Sequence, residues 1–261
     1  MKKTFLSLGL GLAVATAAFA STGTVAELNT EIARLLQPFQ NEKTVANLIF
    51  RDIRTDEVRT LALALNGIYR KAGSQNNLEI RLDDVSYDYG NGAAPITKLH
   101  AGIGIDLTKV MPQEQINDLI PSVEQMVQSL AKDATREYGD AVTVTAEVTD
   151  KKQDDAGNYV SIKAKLGAVI DLAKLPEGKP SEDVLFTSAS AELAISVKDG
   201  IDVKLVIVSN PAYKGFRRDQ KGLKETLEQL LARDPKQLAE IQHLFKNIDG
   251  FAAKFVEGEK E

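Results

Sequence analysis

The chain of 261 residues contains no cysteine. That absence excludes three things at once. No disulfide can hold the fold, so stability must come from burying apolar area. No thiolate nucleophile or zinc–sulfur site can form. And no cysteine is available for lipid attachment behind an export signal. Histidine is nearly as scarce, with only His100 and His243. Beyond the first twenty residues, no apolar run approaches the ~20 residues needed to span a bilayer.

Those first twenty residues are the most specific feature present. Met1-Lys2-Lys3 gives a basic start, Phe5 to Phe19 runs apolar and small, and Ala18-Phe19-Ala20 has the small-x-small pattern of a signal-peptidase site. Residues 1–20 are therefore read as a secretory signal peptide cleaved following Ala20. The expected location is the bacterial periplasm, with full secretion as the alternative. Loss of Lys2 and Lys3 takes the formal charge from −5 to about −7. A mildly acidic protein has no global field to attract nucleic acid or an anionic membrane surface, so no nucleic-acid partner is expected.

Periodicity organises the rest. Leu28, Ile32, Leu35 and Leu36 recur at helical spacing over 25–36. Val45 to Ile53 suits helix or strand. Leu61, Leu63 and Leu65 alternate as a strand, with Tyr69 further along the same side. Leu78, Ile80 and Leu82 alternate in one phase and Val85, Tyr87 and Tyr89 in the other, which predicts a β-bulge across Asp83-Asp84. After the Gly90-Asn91-Gly92 turn, Leu99, Ala101, Ile103, Ile105 and Leu107 share a strand face.

Pro112 opens a long helix striped by Ile116, Leu119, Ile120, Val123, Met126, Val127, Leu130 and Ala134. Pro121 predicts a kink or restart, and Gly139 the stop. Alternating strands then cover 142–148, 160–172, 185–197 and 201–207, with Asp199-Gly200 read as a two-residue hairpin. Helical period returns over 221–255, restarting at Asp234-Pro235 and with Gly250 as its expected end; 257–261 is an acidic tail.

The predicted fold is α+β, with long curved antiparallel β-strands wrapped around amphipathic helices in a single domain over 21–256. Both 44–138 and 142–255 run strands then helix, which suggests two related halves.

Chemistry-bearing motifs are sparse. His100 lies on a polar strand face and His243 off its helix stripe, and neither has a partner motif. The bland reading, two surface histidines, is preferred to a general base. Asp83, Asp84 and Asp88, and Asp150, Asp154 and Asp155, lack calcium-loop spacing and fit a bulge and a turn. Gly102-Ile103-Gly104 sits in a strand and carries no phosphate-loop pattern. No catalytic residue, metal site or cofactor is nominated.

One cluster departs from the background: Tyr213, Lys214, Phe216, Arg217 and Arg218, followed by Lys221 and Lys224. Aromatic and cationic groups together suit an anionic headgroup or an acidic patch on a partner, against a plain reading as an exposed connector. The long apolar strand faces offer a second feature. Such a sheet either packs its helices as an ordinary core or curls into a trough for an acyl chain. The small residues Ala101, Ala164, Ala168, Ala189 and Ala191 leave room for either.

The leading expectation is a non-enzymatic binding protein for a lipid or other amphiphilic ligand. The alternative is an envelope protein that binds another protein through a sheet edge or the 213–224 patch. A hydrolase without an identifiable motif comes third. Oligomeric state is not legible.

Overall fold

The computed structural model describes residues 23–41, 44–53, 65–71, 78–88 and 96–257, without the side chains of 65–71, 82–88, 216–220 and 254–257. The signal-peptide segment, Leu61, Leu63, the Gly90-Asn91-Gly92 turn and residues 258–261 lie outside the described residues.

Helix α1 (Val25–Leu36) starts where its sequence provides a reciprocal cap. Thr24 Oγ1 accepts from Glu27 N at 3.2 Å, and Glu27 Oε2 accepts from Thr24 N at 2.9 Å. That hydrogen bonding, with Arg233 nearby, holds the Glu27 carboxyl below the usual range. Leu28, Ile32 and Leu36 form its buried stripe.

Four strands follow: β1 (Thr44–Phe50), β2 (Leu65–Lys71), β3 (Glu79–Asp88) and β4 (Ile96–Gly104). The ambiguous segment after Asn41 is thus a strand, and its strictly alternating burial explains why a β pattern wins there. The bulge expected at Asp83-Asp84 is present: pairing of β3 with β4 slips between Asp83 and Ser86.

Helix α2 (Gln113–Tyr138) continues through Pro121, so the chain does not restart there. Ile116 and Ile120 before the proline and Val123 and Val127 after it are buried along one stripe, so packing holds both sides in register. Gly139, at φ 55°, ends the helix as expected.

The second set of strands is β5 (Val142–Gln153), β6 (Tyr159–Ile170), β7 (Phe186–Ser196) and β8 (Gly200–Ser209). The β7–β8 hairpin closes through three residues, 197–199, rather than two, because Gly200 takes φ 93° and pairs with Ser196. Helices α3 (Phe216–Leu231) and α4 (Pro235–Glu257) complete the chain. Asp234 Oδ1 caps α4 by accepting from Lys236 N at 2.8 Å. The helix passes through Gly250 because Phe245 and Ala252, on either side of it, are both buried.

The eight strands of the described residues form one antiparallel sheet, curved but not closed, in the order β1-β2-β3-β4-β8-β7-β6-β5. The fold is therefore α+β. Along one face run the rungs Ile103–Ile201–Ile195–Ile162, then Ala101–Val203–Leu193–Ala164, then Leu99–Leu205–Ala191–Leu166, then Thr97–Ile207–Ala189–Ala168. The helices gather over the first of these. Ile162 and Ile195 join Leu28, Ile32, Ile116, Ile120, Leu227 and Phe245 in the core, where each apolar side chain contributes about 1.5–3 kcal/mol.

Edge strand β1 is sealed. Asn29 Oδ1 accepts from Phe50 N at 2.8 Å while Asn29 Nδ2 donates to Phe50 O at 2.7 Å. Gln40 treats Ala46 the same way, accepting from its N–H at 3.3 Å and donating to its carbonyl. The backbone of Asn41 pairs with Thr44. Two side-chain amides and a turn thus occupy groups that an incoming strand would need.

Candidate functional site

The last two rungs of the inner face lie beyond the core. Leu99, Leu205, Ala191, Leu166, Ile207, Ala189 and Ala168 are all half-buried, and none belongs to the core cluster. Of the five alanines singled out in the sequence, only Ala164 is buried; the other four are half-buried. The floor spans four strands, about 14 Å at ~4.8 Å between neighbours.

Helix α2 supplies one wall. It packs on β5 and β6, with Glu124 bonded to Lys151 of β5 at 3.0 Å and Asn117 Oδ1 accepting from Tyr159 N at 3.0 Å. At ~100° per residue, Met126 and Leu130 fall on the opposite flank of the buried stripe, the flank that faces away from β5 and over the inner strands. Both remain about half exposed, at 50% and 48%. Sequence periodicity placed them in the same stripe as Ile120 and Val127, and only the position of the helix separates them.

This stretch of the curved sheet meets the core at one end, and its other end, the mouth, lies at the loops 171–185 and 210–215. Two lysine–carboxylate pairs stand at that mouth. Lys179 Nζ lies 2.6 Å from Glu137 Oε1 and 3.8 Å from the centre of the Tyr138 ring. Lys214 bonds Asp183. In each pair the hydrogen-bonded carboxylate raises the lysine above its usual range.

The sequence-nominated cluster is at this same mouth. Tyr213 is half-buried, its ring lying against Gly215, where an added Cβ would come within 2.5 Å of Tyr213 Cε1. Lys214 also donates its backbone N–H to Glu182 O at 2.8 Å. Phe216, Arg217 and Arg218 open α3, which returns from the mouth to the core, where Leu227 is buried; their side chains lie outside the described residues. Asn210, which the sequence marked only as a strand end, anchors the segment and is 1% exposed.

The outer face carries a different arrangement. His100 Nε2 lies 2.8 Å from Asp202 Oδ1, and Arg81 Nη2 lies 3.5 Å from the same oxygen. Gly102 sits between them in the register, and a Cβ there would meet Arg81 Nη2 at 2.9 Å. Sequence reading missed this group because its members lie on three strands. A cleft of about 220 Å³ nearby is lined by Lys163, Lys165, Glu192, Asp202 and Lys204 among others. Lys165 and Glu192 already pair at 3.1 Å, and such exposed pairs contribute about 0–1 kcal/mol. His243 is exposed on α4.

Among the described residues, no three His, Asp or Glu side chains converge as a metal-binding set, and no helix is long and apolar enough to cross a membrane. Compared with protein-family models, curated proteins and solved structures, the chain matches none.

Proposed function

We propose that this protein is a non-enzymatic binding protein for an amphiphile, exported to the periplasm (or, alternatively, secreted) after removal of residues 1–20. The acyl chain lies on the inner face of β4, β8, β7 and β6 against Met126 and Leu130. The headgroup stays at the mouth, near Tyr213, Lys214, Phe216, Arg217 and Arg218. The observation that carries this reading is the half-buried apolar floor beyond the core, where Ala168, Ala189 and Ala191 leave depth for a ligand.

The energetics suit a chain of moderate length. Each buried methylene contributes about 0.8 kcal/mol, so a dozen contribute about 10 kcal/mol against an association cost of about 4–15 kcal/mol. The paired lysines and tyrosines at the mouth present an apolar body with a polar tip, as the boundary between acyl chain and headgroup requires.

Mass spectrometry of organic extracts from natively purified protein should yield a stoichiometric amphiphile. Ala191→Trp fills the floor at a position open enough to accept the ring, so this variant should fold normally and yield at least tenfold less. Blank extracts from repeated preparations of the unaltered protein, or full retention by folded Ala191→Trp, would reject the proposal.

The second reading, an envelope protein that binds another protein, draws support from one observation: among the described residues no backbone group bonds to the outer edge of β5.

A further inference from the structure

The two edges of the sheet are treated differently. The outer edge of β1 is occupied by Asn29, Gln40 and Asn41. β5 is the last strand at the other side, and among the described residues nothing bonds to its outer edge.

Which groups that edge presents follows from the ladder. Asp171 N donates to Ala141 O at 2.7 Å, one step beyond the Val142–Ile170 pair. Residues 141, 143, 145 and 147 therefore bond toward β6. Val142, Val144, Ala146 and Val148 turn their N–H and C=O groups outward. A register shift between Val148 and Asp150 ends the regular stretch, so Asp150, Lys151 and Lys152 fall outside it. What remains is seven residues, V-T-V-T-A-E-V, rich in β-branched side chains and carrying one charge.

We infer that β5 pairs with β5 of a second copy of this chain, antiparallel about a two-fold axis at Thr145. This register alone satisfies all four outward residues: Val142 bonds Val148 of the second copy and Val144 bonds its Ala146, each pair in both directions. An axis at residue 144 or 146 leaves one of the four without a regular partner. The side chains agree as well. On the outer face Thr145 meets its own copy and Thr143 meets Glu147, so no like charges oppose; on the inner face valines meet valine and alanine.

Helix α2 fits the same axis. It sits over β5 and β6, and with strands ~4.8 Å apart the two α2 helices come to about 10 Å from each other, a normal packing distance. The flank of α2 turned toward the axis bears the uncharged Gln128, Ala131 and Thr135 together with Glu124, whose charge is already paired with Lys151 of its own β5. A C2 interface needs this kind of self-complementarity. The inference does not depend on the amphiphile, since β5 lies outside the trough floor.

The absence of native cysteine makes the test clean. At a non-hydrogen-bonded pair the Thr145 Cα atoms lie about 4.5 Å apart, within disulfide range. Under mild oxidation Thr145→Cys should become a disulfide-linked dimer in more than half of the chains. Thr143→Cys and Glu147→Cys should stay below a tenth, because each lies about 13 Å from its own copy. Sedimentation of the unaltered protein at tens of micromolar should give twice the chain mass. Thr145→Glu, an exposed change that opposes two carboxylates, should give a folded monomer. A monomeric unaltered protein, no crosslink from folded Thr145→Cys, or equal crosslinking at all three positions would overturn the inference.

Discussion

Gly200→Ala is expected to lower the melting temperature by about 10 °C, while Gly157→Ala lowers it by about 3 °C. Both glycines hold positive φ, 93° and 82°. Each alanine therefore carries the left-handed backbone cost of about 1–2 kcal/mol. They differ in what a Cβ would meet. At Gly157 there is nothing within 4 Å; at Gly200 the new atom would lie 2.0 Å from Ile103 O and 2.8 Å from Ile105 N.

Those are backbone atoms where β4 leaves the sheet, and they cannot swing aside as a flexible side chain could. Forcing them apart adds overpacking of about 1–3 kcal/mol, for a total near 4 kcal/mol. Thermal denaturation of the two variants side by side isolates the steric part, since the dihedral cost is common to both. Melting temperatures within two degrees of each other would refute the steric account.

Asn210→Asp should cost about 4 kcal/mol in urea denaturation at neutral pH, close to the cost of Asn210→Ala. The Asn210 amide is buried and fully used. Its Nδ2 donates to Ser181 O at 2.7 Å and to Val184 O at 2.8 Å, and its Oδ1 accepts from Ala212 N at 3.0 Å. Alanine leaves the Val184 carbonyl and the Ala212 N–H without partners, at about 1–3 kcal/mol each, while Ser181 O keeps only the bond from Val184 N.

Aspartate preserves the volume but has no donor, and it points a carboxylate at two carbonyl oxygens. The pair of variants thus separates lost shape from lost hydrogen bonding. If Asn210→Asp stays within about 0.5 kcal/mol of the unaltered protein, the amide donor has no energetic role. Because Asn210 ties the 210–215 segment to the start of β7, both variants should also speed proteolysis at the trough mouth.

Much of the fold was legible because periodicity reports which side of an element is apolar. The alternating runs became strands, and the phase change at Asp83-Asp84 became a register slip in β3. Single-residue stop signals were less dependable. Pro121 and Gly250 both lie inside helices, since buried neighbours on each side outweigh a local penalty.

Periodicity does not report what covers an apolar face. Met126 and Leu130 share a stripe with Ile120 and Val127, yet they remain half exposed beside the trough. The five alanines on the inner face were marked as small, and their sequence positions could not separate buried Ala164 from half-buried Ala191. The long-range partners were wholly hidden: His100 and Asp202 are 102 residues apart, and the amide seals on β1 come from Asn29 and Gln40, polar residues outside any sheet pattern. At the candidate site the aromatic and basic cluster was legible, but its position at the trough mouth depends on strand order.

That strand order also bears on how the chain assembles. The sheet reads outward from its centre as two meanders in which every strand pairs with its sequence neighbour, so each can zip locally. Only β4 and β8 break the rule, with partners such as Ile103–Ile201 and Ile96–Val208 about a hundred residues apart. Closing that loop carries the largest entropic cost in the sheet, and the seam should form last. In pulse-labelled hydrogen exchange, amides of β5, β6 and β7 should gain protection before those that bridge β4 to β8. The half-buried floor straddles the seam, so that surface exists only once β4 and β8 have paired.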